Sequence, residues 1–414
     1  MNDSFKETSR RGFLRHTGSW MAGWAAVGGG VSRLLGEDIQ ELPFANGARP
    51  LVKYPQKRPL LRLTTRPPQL ETPMSVFNES LITPNDAFFV RYHLTVSPPR
   101  RNLLEPDQFR LAVRGKVQTP LSLSVEELRS KYENTEVVAV NQCAGNGRGF
   151  SQPRVSGGQL GNGAMGCARW RGVRLADVLK SAGLQAGAKQ VLFNGLDAPL
   201  VPQTPDFIKA FEIDRALDSE VLLAFEMNGE PLPWLNGFPL RLVVPGHYGT
   251  YWVKHLHDIQ VTEDEFKGFW MTPGYRIPDD PCAAIEPGTT PKRTVPITRF
   301  NVRSFITSLN SGQTVPLGRD VPVRGIAFDG GAGITEVLFS SNGGRTWTAA
   351  DLSPSLGRYA FREWTTSFRP AKSGPLTLMA KATNRLGESQ PLQPLWNPAG
   401  YMRNCVEPLL LEAA

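Results

Sequence analysis

"VAVNQCAGNGRGFSQPRVSGGQLGNGAMGCARW", from Val138 to Trp170, starts as a buried β-strand and turns at Cys143 into a long loop rich in Gly, Asn and Arg. The thiol stands where the apolar run stops and the glycines start. Two readings are open at this point. A free cysteine is most often a small buried hydrophobe that fills the end of a strand. A thiolate is also what a soft-binding metal takes as a ligand.

Bulk properties narrow the choice. At 414 residues the chain exceeds one compact core and implies two domains. Its 40 glycines and 35 prolines point to many loops. The net charge of +8 comes without a basic stripe or a base-reading motif, which argues against a nucleic-acid partner. A basic surface does suit anionic substrates or an acidic protein partner. Cys143, Cys167, Cys282 and Cys405 are far apart and form neither CxxC nor CxxCH. Zinc ribbons, thioredoxin-like pairs and covalent haem are therefore not indicated, and free thiols are expected.

At the N-terminus, "SRRGFLRHTGSWMAGWAAVGGG" places Arg10 and Arg11 before a weakly apolar stretch, an order similar to a twin-arginine export signal. Residues 1–38 are assigned to that signal, without a clean A-x-A site. The apolar run falls well short of the ~20 residues of a membrane span. Twin-arginine export carries folded proteins, often because a cofactor has been inserted, so a periplasmic destination is expected.

Residues 39–75, rich in Pro and Arg, read as an extended arm over the surface. Residues 76–285 mix strands with helices, which predicts an α+β domain. "SVEELRSKY" opens a helix with Ser124 as N-cap and Glu127 at the capping-box position. "RGVRLADVLKSAG" is a second helix that stops at Gly183. "TEVVAVNQC", "EVLLAFEMNG" and "FPLRLVVPG" are strands. In residues 286–414, short strands alternate with "DGGAG", "NGG" and "AKSG" turns, the texture of an all-β immunoglobulin-like sandwich.

Chemically useful groups gather in four segments of the first domain. "FFVRYH" puts Arg91 and His93 on one face of a strand, because residues two apart point the same way. "NQCAGNGRG" adds Cys143 and Arg148, "GFPLRLVVPGHYGTYWVKH" adds Arg241 and Lys254, and "GFWMTPGYRIP" adds Tyr275. Singly, each is more often an ion pair, a sheet-edge charge or an aromatic plug. Together they describe a cationic pocket with one soft ligand and one phenol.

Those segments, with "GGQLGNGAMGCARWRGVRLADVL", "EVLLAFEMNGEPLPWLNGFPLRLVVPGHYGTYWVKHL" and "QPLWNPAGYMRN", resemble the sulfite oxidase family of molybdenum enzymes, most closely its bacterial periplasmic sulfite dehydrogenases. The resemblance covers nearly all of the chain after the signal. It implies a molybdenum–molybdopterin cofactor with Cys143 as the thiolate ligand. Arg91, Arg148 and Tyr275 would form the oxyanion pocket, with Trp170 in its wall and Arg403 reaching over from the second domain. His93, Asp206, Asn236, Arg241 and Lys254 would hold the pterin and its phosphate. Animal members have His where this chain has Asn236. The family's haem domain is missing, so sulfite oxidation would pass electrons to a separate c-type cytochrome or similar carrier. The second domain is expected to dimerise, giving a homodimer or a heterodimer with a cytochrome subunit. A sulfane-sulfur dehydrogenase and an exported non-catalytic binding protein are the competing readings.

Overall fold

The computed structural model describes residues 38–414. Arg10, Arg11 and the rest of the export-signal reading lie outside them, apart from Asp38.

Residues 39–75 do not run as an extended arm. They fold back on themselves as short antiparallel strands, Ile39–Gln40, Arg49–Val52, Leu60–Thr64 and Gln69–Glu71. The last of these pairs with Val90–Arg91, so the segment ends in the same sheet as Arg91. Leu60, Leu70, Val90 and Tyr92 form a small apolar core beneath it. A Pro- and Arg-rich composition conceals this, because the leucines that build the core are scattered among polar and charged residues.

Strands outweigh helices throughout, so the α+β expectation gives way to a mostly β chain with few helices. The helix Val125–Lys131 has the expected capping box: the Ser124 hydroxyl accepts from the Glu127 N–H, and the Glu127 carboxylate accepts from the Ser124 N–H. The helix Leu175–Ala182 buries Leu175, Val178 and Leu179 on one face and stops at Gly183, whose φ of 70° suits a residue without a side chain.

Two sheets frame the site. In one, Ile208–Glu212, Gln190–Gly195, Leu256–Thr262, Leu111–Gly115 and Leu121–Leu123 lie side by side. The other is built on Asn134–Gln142 and Met165–Arg174, antiparallel from Asn134↔Val173 to Gln142↔Met165. Leu222–Met227 continues it, and Arg241–Val243 pairs with that strand. The opening stretch is therefore a strand, a 22-residue excursion from Cys143 to Ala164, and the returning strand. The loop closes where it opens, since the Cys143 N–H donates to the Ala164 carbonyl at 2.9 Å.

The C-terminal region packs the sheet Arg303–Ile306, Val321–Phe328, Arg362–Phe368, Asp351–Leu352 against a second sheet centred on Gly374–Asn384. Val323, Phe339, Trp364 and Leu378 fill the space between them. From this region the loop through Tyr401 returns to the first: the Met402 N–H donates to the Ala144 carbonyl at 3.0 Å.

Candidate active site

Cys143, the first residue past its strand, lines a partly open cavity between the two sheets. Arg91, His93, Asn236, Arg241, Lys254 and Tyr275 line it too. Residues nearly two hundred positions apart are thus brought together by the two sheets. The period-2 argument for Arg91 and His93 holds in space, since both line the cavity while Tyr92 turns away to bond the buried His255.

Electrostatically this is a cage of unpaired cations. Among the described residues, Arg91, Arg241 and Lys254, all of which line the cavity, form no ion pair. Burial pulls Arg241 down to about 9, and burial, with Arg241 and Arg91 nearby, pulls Lys254 down from the ordinary lysine range against the opposing pull of Asp197. Charges held out of water are costly, and the carboxylate of Asp197 alone does not balance three cations. Here they converge on one space. Three polar atoms around it, Asn141 Oδ1, Thr250 Oγ1 and Arg241 Nε, are buried without a partner. The lining therefore fits an anionic, hydrogen-bonding occupant such as a pterin phosphate with a metal-bearing head. Among the described residues no cluster of three His, Cys, Asp or Glu could hold a metal by itself. One thiolate at the cavity suits a metal whose other ligands arrive with a cofactor.

Tyr275 sits at φ 56° in the left-handed region, a backbone cost that fixes where its ring points. Its hydroxyl is hydrogen-bonded to His93 Nε2. The His93 ring packs against both Phe207 and Trp270, at 4.9 and 4.3 Å between ring centroids, and those two rings also touch each other. Desolvation, then Arg91 and Lys254, push His93 far below its ordinary range, so the imidazole is neutral. Arg91 Nη2 stands 3.5 Å from Nδ1 and can only donate, which makes Nδ1 the acceptor and leaves the proton on Nε2. Nε2–H then donates to the tyrosine oxygen, and the phenol proton is free for an anion in the cavity. His93, expected to hold the cofactor, has both nitrogens engaged in setting up Tyr275.

Four other expected site residues stand back from the cavity. Arg148 is placed by Gly147 at φ 85°, and its guanidinium donates to the Ala399 carbonyl at 2.8 Å and lies 4.9 Å from the centre of the Tyr401 ring. Tyr401 in turn stacks on Tyr275 at 5.3 Å, so Arg148 reaches the site through the second region. Trp170 is fully buried, its indole N–H bonded to the Ala139 carbonyl, and it backs Arg241 at 5.0 Å; the wall it was expected to form is made by Phe88, Phe89 and Trp252. Asp206 is occupied by the Asn194 amide and the Phe207 N–H, and the carboxylate that lines the cavity is Asp197. Arg403 pairs with Glu407 over the Phe150 ring, beside the loop but off the cavity.

Sequence reading missed Asp197, Phe207 and Tyr401. "NGLD" at the end of a strand was the one signal for Asp197, and "GYMRN" drew attention to Arg403 when Tyr401 two residues earlier makes the contact.

Residues 96–270 match the oxidoreductase molybdopterin binding domain, and residues 294–407 the Mo-co oxidoreductase dimerisation domain. The chain is 36% identical over 379 residues to the sulfite oxidase of Gallus gallus, an alignment covering 87% of this chain and 80% of that protein. It is 31% identical over 396 residues to the sulfite oxidase of Arabidopsis thaliana, covering 89% of this chain and 98% of the relative. The sulfane dehydrogenase SoxCD from Paracoccus pantotrophus shares the fold at a TM-score of 0.70 and 22% identity, over 96% of this chain and 94% of that one. With two matching domains, a relative at this identity and a cavity of unpaired cations around a single thiol, the chain belongs to the sulfite oxidase family of molybdenum enzymes and takes a molybdenum–molybdopterin cofactor.

Proposed function

We propose that this chain oxidises sulfite to sulfate and passes the electrons to an external c-type cytochrome or similar one-electron carrier. Sulfite and water give sulfate, two electrons and two protons. The observation that carries the reading is the neutral Tyr275 donor beside Arg91 and Cys143 in one cationic cavity. The sulfite oxidases of Gallus gallus and Arabidopsis thaliana support it by their likeness over most of the chain.

Cys143 would bind the metal, and Arg241, Lys254 and Asn236 would hold the anionic end of the cofactor. When bound, that group supplies two-electron redox and oxygen-transfer chemistry. The chain's own residues do the rest. Arg91 draws the small oxyanion in, since a guanidinium offers a planar fork of donors. Tyr275 adds a hydrogen bond without adding charge, and burial keeps its phenol protonated well above the ordinary range. Phe88, Phe89, Phe207 and Trp252 exclude water, which strengthens each of these contacts as charge shifts toward the sulfate-like transition state. Residues 286–414 are read as an immunoglobulin-like dimerisation domain and residues 1–38 as a twin-arginine signal to the periplasm.

Purified protein should carry about one molybdenum per chain, and sulfite should reduce cytochrome c without oxygen. Rapid peroxide formation with oxygen as sole acceptor would make the chain an oxidase. Inertness to sulfite alongside oxidation of a sulfane-sulfur conjugate would select the sulfane reading.

A further inference from the structure

Lys57 is a buried lysine that the reading above leaves without a part. It belongs to the N-terminal segment, between the strands Arg49–Val52 and Leu60–Thr64, and is 2% exposed. It does not line the cavity, and among the described residues it forms no ion pair. All three ammonium hydrogens are used: on the Asn85 carbonyl at 2.6 Å, the Phe88 carbonyl at 3.0 Å and the Asn236 side-chain oxygen at 2.6 Å. Two of these acceptors belong to residues of the cavity wall, Phe88 and Asn236.

The third bond decides an orientation. A side-chain amide can present either its oxygen or its NH₂ group to a given neighbour. In its charged form the ammonium at 2.6 Å admits only the oxygen, because the flipped amide would set donor against donor and turn its oxygen onto the Phe89 carbonyl. With the oxygen held, the Asn236 nitrogen donates one hydrogen to the Phe89 carbonyl at 3.1 Å, and its second hydrogen is left for an occupant of the cavity. The Asn236 main-chain carbonyl accepts from Arg241 Nη1 at 2.9 Å, so the same residue anchors the guanidinium. An unheld amide could turn its oxygen toward the anion and oppose binding.

We infer that Lys57 is a positioning residue of the cofactor pocket: by holding the Asn236 oxygen it keeps an amide donor and the Arg241 guanidinium set for the anionic part of the cofactor. The N-terminal segment is then part of the pocket's construction, and cofactor retention depends on its docking. This rests on the cofactor occupying the cavity and is indifferent to which sulfur compound is oxidised.

The test uses the full chain produced with cofactor, as Lys57→Met, Asn236→Leu and the double variant. Molybdenum and pterin per chain, and the rate of cofactor release in fixed mild urea, are measured for each. Loss of one donor to a charged group predicts about tenfold weaker retention for either single variant. A residue that acts through another gives no added loss, so the double variant should match Asn236→Leu. Thermal unfolding of cofactor-free chains, from a host that cannot make the cofactor, separates folding from retention. If Lys57→Met lowers that midpoint yet retains cofactor like the wild type, Lys57 is only structural and the inference is wrong. Additive losses in the double variant also overturn it. Should Lys57→Met not fold, Lys57→Gln, whose amide can still donate to the Asn236 oxygen, should keep cofactor close to the wild type, and a loss as large as that of Asn236→Leu would overturn the inference. Because cofactor content is the readout, failure to oxidise sulfite would leave the outcome intact.

Discussion

Replacing Tyr275 by Phe removes one oxygen from the cavity and changes little else in shape. Two bonds go with it. The first is the donation proposed from the phenol to a bound anion, a hydrogen bond to a charged group worth about 1.5–3 kcal/mol, or roughly ten- to a hundredfold in kcat/KM. The second is the acceptor for His93 Nε2–H, whose loss leaves a buried donor unsatisfied at a cost of about 1–3 kcal/mol of stability. The thermal midpoint should therefore fall as well, with molybdenum content unchanged. Neither partner titrates in the working range, because His93 is pushed far down and Tyr275 far up by burial. The loss should accordingly be a constant factor from about pH 6 to 9, a window lying between those two groups. Steady-state sulfite kinetics per bound molybdenum, across that range, measures it. A kcat/KM within twofold of wild type would refute the donor role, and a loss that varied with pH would refute the assigned proton positions.

Cys143→Ser should keep the fold, since the side chains are nearly isosteric, and abolish sulfite oxidation, because a hydroxyl replaces thiolate poorly at a soft-binding metal; near-normal turnover would remove Cys143 as the ligand. Arg148→Gln should lower the thermal midpoint, because the bond to the Ala399 carbonyl ties the two regions together, and should raise the sulfite KM through Tyr401 and Tyr275; an unchanged KM would confine Arg148 to the interface. The buried lysines set a pH dependence. Lys57 and Lys209 are lowered to about 7, and Lys254 downward, all chiefly by desolvation. A lysine depressed in the fold binds fewer protons there than in the unfolded chain, so the cofactor-free protein gains stability as pH rises above about 7. An anion in the cavity restores the charge on Lys254 and removes its share of that gain. The thermal-midpoint difference between loaded and cofactor-free protein should then shrink from pH 7 to 9, and a constant difference would exclude the coupling.

What was legible in the sequence was local. The Ser124–Glu127 capping box needs only neighbours three residues apart, and both of its bonds form. The strand-to-loop break at Cys143 is written in one run of residues, and the strand ends at Gln142. Residues 39–75 were misread because composition reports solubility, whereas the pairing of Gln69–Glu71 with Val90–Arg91 is a contact across twenty residues that no local pattern announces. Both helices read from the sequence form, and the α+β expectation failed because most of the remaining chain is strand.

Trp170 and Lys57 show where such reading stops for the site. Trp170 alternates correctly with exposed Arg169 and Arg171, so its burial follows from the period of the strand. Which interior it enters does not follow, because a strand says in or out and not which of two neighbours lies inside. Here the neighbours are Phe88 and Trp252, which stand between the indole and the cavity. Lys57 reverses the problem: a lysine in a basic, Pro-rich segment reads as solvated, and only three acceptors gathered from two distant loops make its burial tolerable. Residue type and short spacing therefore identify groups able to do chemistry. Whether a group faces the occupant, backs the wall or sets a neighbour's orientation depends on partners supplied from far along the chain. That is why the cationic character of the cavity could be read in advance, while the division of labour among its cations required the fold.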